Sequence, residues 1–338
     1  MPNCGSQVII CDLPIRFDTY KGCSHACKYC FVNRKTDISN VSVHEGPEAL
    51  LNFIQGKRAQ ETSWCDWNIP LHWGGLSDPF QPCEKIHKNS LACLEILAKT
   101  KYPFVVSTKG TLPMEEPYYS LFKECNCVFQ VSMTCPSITS RLELGAPSFD
   151  ERLALVAKMA QAVKRVIVRC QPYLPELHTE IKAQIPRLAE AGAYGIIYEA
   201  LKLTKRRAGM IKLGADFVYP YLILRNKFMD LKDTCHANGL KFFSGENRLR
   251  STGDGLCCCG VDGLNGFQPS THNLNHYIYD KAGVKITPAM RKPGSAFCFH
   301  AMGQDSKTYR YLRNRNFNEV MEMYEKDKSI VSTFVSKD

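Results

Sequence analysis

The sequence lacks any apolar run long enough to cross a bilayer, and its start, MPNCGSQVIICDLP, has no basic stretch followed by a long apolar segment. It also lacks low-complexity linkers and internal repeats longer than one strand and one helix. With 338 residues, of which 44% are hydrophobic, the chain can bury a large core. These features argue against a membrane protein and a disordered chain, and they predict a soluble, cytoplasmic, folded protein.

Acidic residues are comparatively few, since 33 Asp and Glu stand against 43 Lys and Arg, a formal net charge of +10. This balance favours polyanionic partners such as nucleic acid, although it also serves ordinary solubility. Basic residues with interleaved tyrosines suit phosphates and stacked bases, with a solvated basic surface as the alternative. They are Lys202, Lys205, Arg206, Arg207, Lys212, Arg248, Arg250, Arg291, Lys292, Arg310, Arg313 and Arg315, with Tyr277, Tyr279, Tyr309 and Tyr311.

Apolar segments of strand character alternate with amphipathic segments over residues 1–240. This alternation is typical of βα units and predicts a parallel sheet with helices outside it. Six strands are too few to close an eight-stranded barrel, so we expect an α/β fold, a partial (β/α)6 TIM barrel. The predicted strands are QVIICDL, IPLHWGG, PFVVST, CVFQVSM, RVIVRCQ and GIIYEAL. The predicted helices are Pro47–Lys57, Glu84–Lys99, Glu116–Lys123, Phe149–Val163, Glu180–Ala191 and Val218–Ala237. Pro186 predicts a kink in the helix Glu180–Ala191 or a later start of it.

Beyond residue 240 the pattern changes to Gly-, Asn- and Cys-rich sequence, followed by a basic, aromatic tail. We expect residues 241–338 to form a Cys-rich, basic C-terminal extension that caps the mouth of the barrel. In barrels of this kind the reactive groups lie at the mouth, where the C-terminal ends of the strands meet. Cofactor and substrate sites are therefore expected there.

Cysteine is abundant, with seventeen in the chain. Without a secretion signal, this number favours metal ligands, catalytic thiols or buried thiols over disulfides. The most specific group is GCSHACKYCF, in which Cys23, Cys27 and Cys30 have C-x3-C-x2-C spacing after the first predicted strand. Three thiolates on one loop can hold three irons of a [4Fe–4S] cluster and leave the fourth iron open.

A structural zinc knuckle with His25 as the fourth ligand is the alternative for this loop. Zinc ribbons usually contain two separated C-x2-C pairs, whereas here three cysteines precede a barrel-like sequence. The pattern therefore favours an iron–sulfur cluster. Tyr29, just before the last of the three cysteines, either packs against its neighbours or contacts an adenine ring.

The three-cysteine loop resembles that of the radical S-adenosylmethionine (SAM) superfamily. GGLSDPFQPCE (Gly74–Glu84) and RLELGAPSFDERL (Arg141–Leu153) resemble the subgroup related to spore photoproduct lyase, and the similarity runs from about residue 7 to residue 200. The resemblance implies an enzyme that cleaves SAM reductively at a [4Fe–4S] cluster held by the loop cysteines. It also implies an electron donor such as flavodoxin or ferredoxin.

The resemblance further implies a SAM site at the strand ends. Gly74 and Gly75 would approach the methionine moiety, and Leu76 replaces an acid that many relatives carry. Glu143 and Arg152 would lie near the ribose or the methionine carboxylate. The other implied contacts are Tyr29, Ser107, Lys109, Ser132 and Arg169. The alternatives are a tight turn at the glycines, helix capping by the serines and a surface ion pair between Glu143 and Arg152; Asp78 is expected to be structural.

Cys257, Cys258 and Cys259 are adjacent in a glycine-rich loop, and Cys298 follows in FCFH. Three roles remain open for them. A thiol near the mouth can return a hydrogen atom to a substrate radical, as a cysteine does in the resembled lyase. Alternatively Cys257, Cys259, Cys298 and one more residue hold a second iron–sulfur cluster, or the thiols are inert and buried.

We therefore expect a radical SAM enzyme that forms a 5′-deoxyadenosyl radical and abstracts hydrogen from a nucleic-acid base or nucleotide. A peptide or small-metabolite substrate, with a second C-terminal cluster, is the alternative within the same chemistry. A non-catalytic, metal-stabilised nucleic-acid-binding protein is the alternative of another class, and it predicts zinc or no metal and no turnover of SAM. The sequence leaves the oligomeric state open.

Overall fold

The fold is built around one large sheet. It is seen in a computed structural model that describes residues 3–4, 13, 15–34, 37–57, 70–214, 216–255, 257–267 and 326. In chain order the strands are β1 (Asn3–Cys4), β2 (Ile15–Phe17), β3 (Tyr20–Lys21), β4 (Ser42–Val43), β5 (Leu71–Trp73), β6 (Phe104–Thr108), β7 (Cys127–Ser132), β8 (Arg165–Tyr173), β9 (Gly195–Ala200), β10 (Ile211–Leu213), β11 (Asp216–Val218) and β12 (Lys241–Ser244). The helices are α1 (Pro47–Ile54), α2 (Glu84–His87), α3 (Asn89–Thr100), α4 (Tyr118–Glu124), α5 (Pro136–Leu142), α6 (Phe149–Met159), α7 (His178–Ala183), α8 (Ile185–Glu190) and α9 (Tyr221–Ala237).

Strands β2, β5, β6, β7, β8, β9 and β12 run parallel in that order, and β1 pairs antiparallel with β2 at one edge. The predicted α/β partial barrel is therefore confirmed. The seventh parallel strand, β12, lies within the predicted C-terminal extension and is not among the six predicted strands, because four residues after a long helix show little periodicity. The predicted first strand, QVIICDL, lies outside the described residues apart from Leu13.

The helix ends follow local rules. Ser148 accepts from the backbone amide of Glu151, whose side chain accepts in turn from the amide of Ser148, so a capping box begins α6. Pro186 cannot continue a helix, and the predicted helix there divides into α7 and α8, with the proline in the first turn of α8.

Alternate residues of the parallel strands face opposite sides of the sheet. One set, including Trp73, Phe104 and Phe129, packs against the helices in the main buried cluster. The other set faces the lumen of the barrel. In its lower half, near the N-terminal ends of the strands, the lumen is filled by a second apolar cluster, whose strand residues are Val105, Val128, Ile167, Ile197 and Phe243.

The floor segment, residues 257–267, covers this lower cluster. Cys257 and Cys259 are buried in it, and Arg165, the first residue of β8, donates to the carbonyl oxygens of Gly260 (2.8 Å) and Asp262 (2.6 Å). The described cysteines of the extension, Cys257, Cys258 and Cys259, thus lie at the N-terminal end of the barrel and not at its mouth. That residues 241–338 as a whole cap the mouth stays a prediction.

The direction of the chain after β12 explains this position. The amide of Asp254 donates to the carbonyl oxygen of Phe242 (2.9 Å), so the chain turns back along the strand toward its N-terminal end. Cys298 and the remainder of the predicted extension, apart from residue 326, lie outside the described residues.

Candidate functional site

The three-cysteine loop lies at the C-terminal end of the sheet, beside the ends of β5 and β6. Cys27 is buried, whereas Cys23 and Cys30 are half-buried. Burial and the nearby carboxylate of Asp78 raise the pKa of the Cys23 thiol to about 12. Within the described part of the chain, no three His, Cys, Asp or Glu side chains converge on one point as a single metal ion requires. A cubane instead takes each thiolate at a different iron, so such convergence is not needed.

The segment 142–145 supports the loop from one side. The amide of Lys28 donates to the carbonyl oxygen of Leu142 (2.9 Å), and the amide of Gly145 donates to that of His25 (3.1 Å). A Cβ atom at Gly145 would lie 2.4 Å from the carbonyl oxygen of Ser24, so only glycine permits this contact. The loop is therefore held by backbone bonds as well as by side chains.

Both ring nitrogens of His25, the proposed fourth ligand of the zinc alternative, lie against oxygens, although the contact of Nε2 has ion-pair distance without hydrogen-bond geometry. Its Nδ1 lies 3.0 Å from the carbonyl oxygen of Gly145, and its Nε2 lies 3.2 Å from Oδ2 of Asp78. Burial lowers the pKa of His25, but Asp78 and the Gly145 carbonyl raise it by more, so the net shift is upward. A ring with both nitrogens against oxygens offers no lone pair to a metal.

Asp78 joins this loop to the end of β6. Its Oδ1 accepts from Thr108 Oγ1 (2.7 Å) and from the amide of Phe80 (2.9 Å), and its Oδ2 accepts from the amide of Lys109 (2.6 Å). Burial raises the pKa of Asp78, but His25 and these hydrogen bonds lower it far below its ordinary value. These contacts agree with the structural role predicted for Asp78.

Glu143 and Arg152 form a buried network, not the surface ion pair considered from the sequence. Arg152 Nη2 lies 2.6 Å from Glu143 Oε2 and 2.7 Å from Thr139 Oγ1, while its Nη1 donates to the carbonyl oxygen of Ser132 (2.7 Å). The Tyr29 hydroxyl donates to Glu143 Oε1. The pair therefore connects the end of β7 to the tyrosine of the three-cysteine loop.

Lys109 completes this network. Its Nζ lies 3.9 Å from Glu143 Oε1 and 5.8 Å from the centre of the Tyr29 ring. Burial raises the pKa of Glu143, but Lys109 and Arg152 lower it by more. Both oxygens of Glu143 thus face cations or hydrogen-bond donors. The Tyr29 side chain is held by Glu143 at its hydroxyl and lies beside Lys109, the residue that follows β6.

The two glycines after β5 differ in what surrounds them. Gly74 has a φ of +83°, and a Cβ there would lie 2.4 Å from the carbonyl oxygen of Ser107. A Cβ at Gly75 would have no neighbour closer than Arg16 Cδ at 3.7 Å. The turn therefore requires glycine at position 74, whereas a Cβ at Gly75 would make ordinary van der Waals contact with the Arg16 side chain and no clash.

Asp18, which is not among the predicted site residues, supports the same turn. Its Oδ1 accepts from the amides of Leu76 (2.9 Å) and Ser77 (3.1 Å), and burial raises its pKa to about 7. The chain thus places an acid beneath the turn where Leu76 itself supplies none. An Asp directly after a buried strand was the available signal.

A row of polar side chains faces the upper lumen. Ser107 Oγ donates to Gln130 Oε1 (2.8 Å) and lies 3.1 Å from His72 Nε2, and Arg169 Nη2 lies 3.8 Å from Glu199 Oε2. Ser107 and Arg169 were predicted to face the site, whereas the other three were not. Their signal was a polar residue at alternate positions of an apolar strand, as in LHW, CVFQVS and GIIYEA.

Fold and site together define a partial TIM barrel with a three-cysteine loop at its mouth, and solved structures of spore photoproduct lyase share this fold. One with bound AdoMet and dinucleoside spore photoproduct has a TM-score of 0.52 and 17% identity, covering 68% of this chain and 76% of that one. Another, complexed with the dinucleoside spore photoproduct, has a TM-score of 0.52 and 18% identity, covering 69% and 77%. The resemblance seen in the sequence is thereby confirmed at the level of the fold.

Sequence comparison adds uncharacterized relatives. Uncharacterized proteins of Mycobacterium bovis and Mycobacterium tuberculosis are 28% identical to the chain over 234 residues, which are 63% of this chain. The match spans 66% of the length of these curated relatives. No family model matches the chain. Among the described residues, no helix has the length and apolar character that a membrane crossing needs.

Proposed function

We propose that the chain is a radical SAM enzyme whose Cys23, Cys27 and Cys30 hold a [4Fe–4S] cluster. The observation that carries this proposal is the position of the three-thiol loop at the mouth of a barrel shared with a lyase solved with AdoMet. The residues fit the cluster, because three thiols lie on one loop and the adjacent His25 is occupied by oxygens. When bound, a reduced cluster supplies the electron that splits SAM into methionine and a 5′-deoxyadenosyl radical.

The chain's own residues would bind and orient SAM. Gly75, which has no side chain, would let the methionine moiety approach the backbone, and the proposed polar contacts at the strand ends are Ser107, Lys109, Ser132 and Arg169. Tyr29 would present its ring to the adenine. Glu143 and Arg152 act in this proposal mainly by holding Tyr29 and the loop, since both are almost fully buried and already bonded.

For the substrate we propose a nucleic-acid base or nucleotide. The net charge of +10 and the fold shared with a lyase that binds a dinucleoside support this choice. A peptide or small metabolite remains the second candidate, supported by the cysteine-rich floor segment if it binds a further cluster. The proposal includes a flavodoxin or ferredoxin as reductant and a cytoplasmic location.

Anaerobic reconstitution tests the proposal. The chain would be loaded with iron and sulfide and reduced with dithionite, and iron and 5′-deoxyadenosine would be measured for wild type and for Cys23→Ala, Cys27→Ala and Cys30→Ala. Cys83→Ala is the matched control, since it removes one half-buried thiol outside the loop. We expect about four irons per chain and SAM cleavage that only the loop variants abolish.

Two other outcomes have definite meanings. About eight irons would support the second cluster and with it the peptide or metabolite alternative. Zinc in place of iron, or no 5′-deoxyadenosine from a fully loaded cluster, would overturn the enzyme and favour the metal-stabilised nucleic-acid-binding protein.

A further inference from the structure

Arg16 is a lumen-facing cation that no described residue pairs. It lies on β2 between Ile15 and Phe17, which are fully buried against the helices, so alternation directs its side chain into the lumen. The side chain is half-buried, and its guanidinium makes no hydrogen bond or ion pair within the described part of the chain. A partly buried guanidinium without a counter-charge is costly unless a ligand supplies one.

A second guanidinium lies in the same part of the lumen. His72 is the direct neighbour of Arg16 across the β2–β5 pair, and its pKa is lowered to about 3 by burial and by the charges of Arg169 and Arg16. Arg169 Nε donates to Gln171 Oε1 (2.6 Å). His72 is therefore neutral, and two positive charges act on it from β2 and β8.

The acids nearby compensate Arg16 only in part. The charge of Arg16 lowers the pKa of Asp18, but burial raises that pKa to about 7, and Asp18 forms no ion pair with Arg16; its Oδ1 is bonded to the amides of Leu76 and Ser77. Glu199 pairs with other cations: its Oε1 lies 3.2 Å from Lys202 Nζ, and its Oε2 lies farther, 3.8 Å, from Arg169 Nη2. The local balance is thus positive.

Gln130 supplies an independent observation. It is completely buried on the lumen face of β7, and its Oε1 accepts from Ser107 Oγ (2.8 Å). Its Nε2 has no acceptor among the described residues. Since a buried amide nitrogen without an acceptor costs free energy, this group also calls for an oxygen from outside the chain.

We propose that Arg16 and Gln130, flanked by Arg169, form an anion-binding site in the lumen that takes a carboxylate or phosphate group of the substrate. Carboxylate and phosphate oxygens accept from guanidinium and amide nitrogens, and charge-assisted bonds to a guanidinium are strong. The inference deepens the proposed function, on which it rests for the statement that the ligand is a substrate.

Thermal unfolding with small anions tests the site. The reconstituted chain, without SAM and saturated with SAM, would be titrated with sodium phosphate, sodium succinate or sodium chloride at matched ionic strength, and the melting temperature would give an apparent dissociation constant. We expect phosphate or succinate, but not chloride, to stabilise wild type, which identifies the group. Arg16→Gln should weaken that binding by at least about tenfold.

Arg187→Gln is the matched control, because Arg187 pairs with Asp150 on the surface. It should bind the anion as wild type does. Gln130→Met, which keeps the shape of the side chain and removes the amide, should weaken binding and provides the test should Arg16→Gln fail to fold. If phosphate and succinate stabilise folded Arg16→Gln and Gln130→Met as much as wild type, or do not stabilise wild type at all, the proposed site is overturned.

Two further readouts separate this inference from the proposed function. Stabilisation by the anion that disappears when SAM is added would assign Arg16 to SAM and refute a substrate site. Iron and 5′-deoxyadenosine would be measured in the same samples. A wild-type chain that binds the anion but forms no cluster would refute the enzyme while leaving the anion site in place.

Discussion

Glu143 and Arg152 form an ion pair with 2.6 Å between Oε2 and Nη2, and their side chains are only 1% and 0% exposed. Asp150 and Arg187 form a pair of the same length on the surface, with exposures of 80% and 43%. Solvent screens the second pair and not the first. The chain therefore contains two pairs of equal length that differ in burial.

Glu143→Gln should lower the free energy of unfolding by roughly 3–5 kcal/mol, because it leaves the Arg152 guanidinium buried without its counter-charge. Asp150→Asn should cost about 1 kcal/mol or less. Urea denaturation of both variants measures the difference. Iron retained after reconstitution should also fall in Glu143→Gln, since the single acceptor oxygen of glutamine cannot serve both Tyr29 and Arg152 as the two carboxylate oxygens do. Two equally stable variants would show that the buried pair does not support the loop.

Gly74 and Gly75 separate folding from ligand contact. Gly74→Ala forces a side chain into a positive φ and against the Ser107 carbonyl, and we expect a loss of at least about 2 kcal/mol. Gly75→Ala meets no close neighbour and should change the unfolding free energy by about 0.5 kcal/mol or less.

The decisive measurement for Gly75→Ala is the dependence of 5′-deoxyadenosine formation on SAM concentration. If SAM passes over Gly75, the added methyl group raises the KM for SAM while the melting temperature stays unchanged. An unchanged KM would remove Gly75 from the cofactor site and leave only the turn at Gly74.

The barrel and its loop could be predicted because each is encoded locally. The βα alternation and the spacing of Cys23, Cys27 and Cys30 are both visible over short windows. The lumen could not be predicted in the same way. Arg16, His72 and Gln130 are separated by many residues, and each is a single polar residue inside an apolar strand. Only the pairing of the strands brings them to one side of the sheet.

Asp18 should make the protein less stable as the pH rises. Its pKa is raised from 3.8 to about 7, so the folded state holds a proton that the unfolded state has already released in this window. The unfolding free energy should fall between about pH 3.8 and pH 7, by about 4 kcal/mol at most, and then level off. Asp18→Asn keeps an acceptor for the amides of Leu76 and Ser77 and should flatten this slope in urea denaturation at several pH values.

Asp254→Asn is the control of opposite sign. Burial raises the pKa of Asp254, but the amide of Phe242 and the side chains of His236 and Lys232 lower it by more, so the net shift is downward. This residue stabilises the fold above its unfolded pKa, and the contribution is lost as the pH falls. Its variant should therefore be destabilised at neutral pH and approach wild type in acid. The same slope in both variants would exclude Asp18 as the source.

The cysteines of the floor segment should support the fold and not the chemistry. Cys257 is 2% exposed within the lower apolar cluster, and its Sγ accepts from the amide of Val261 at 3.3 Å. Cys257→Ala removes this acceptor and leaves a buried amide unsatisfied, at a cost of about 1–3 kcal/mol. The half-buried Cys258 should tolerate alanine with little change.

Iron content and 5′-deoxyadenosine formation distinguish this role from the alternatives. We expect Cys257→Ala and Cys259→Ala to melt at lower temperature while keeping about four irons per chain and the wild-type yield of 5′-deoxyadenosine per iron. The reason is position, because the floor segment contacts the N-terminal ends of the strands and the three-cysteine loop lies at the other end. Iron that falls from about eight to about four in these variants would instead establish a second cluster on the floor segment.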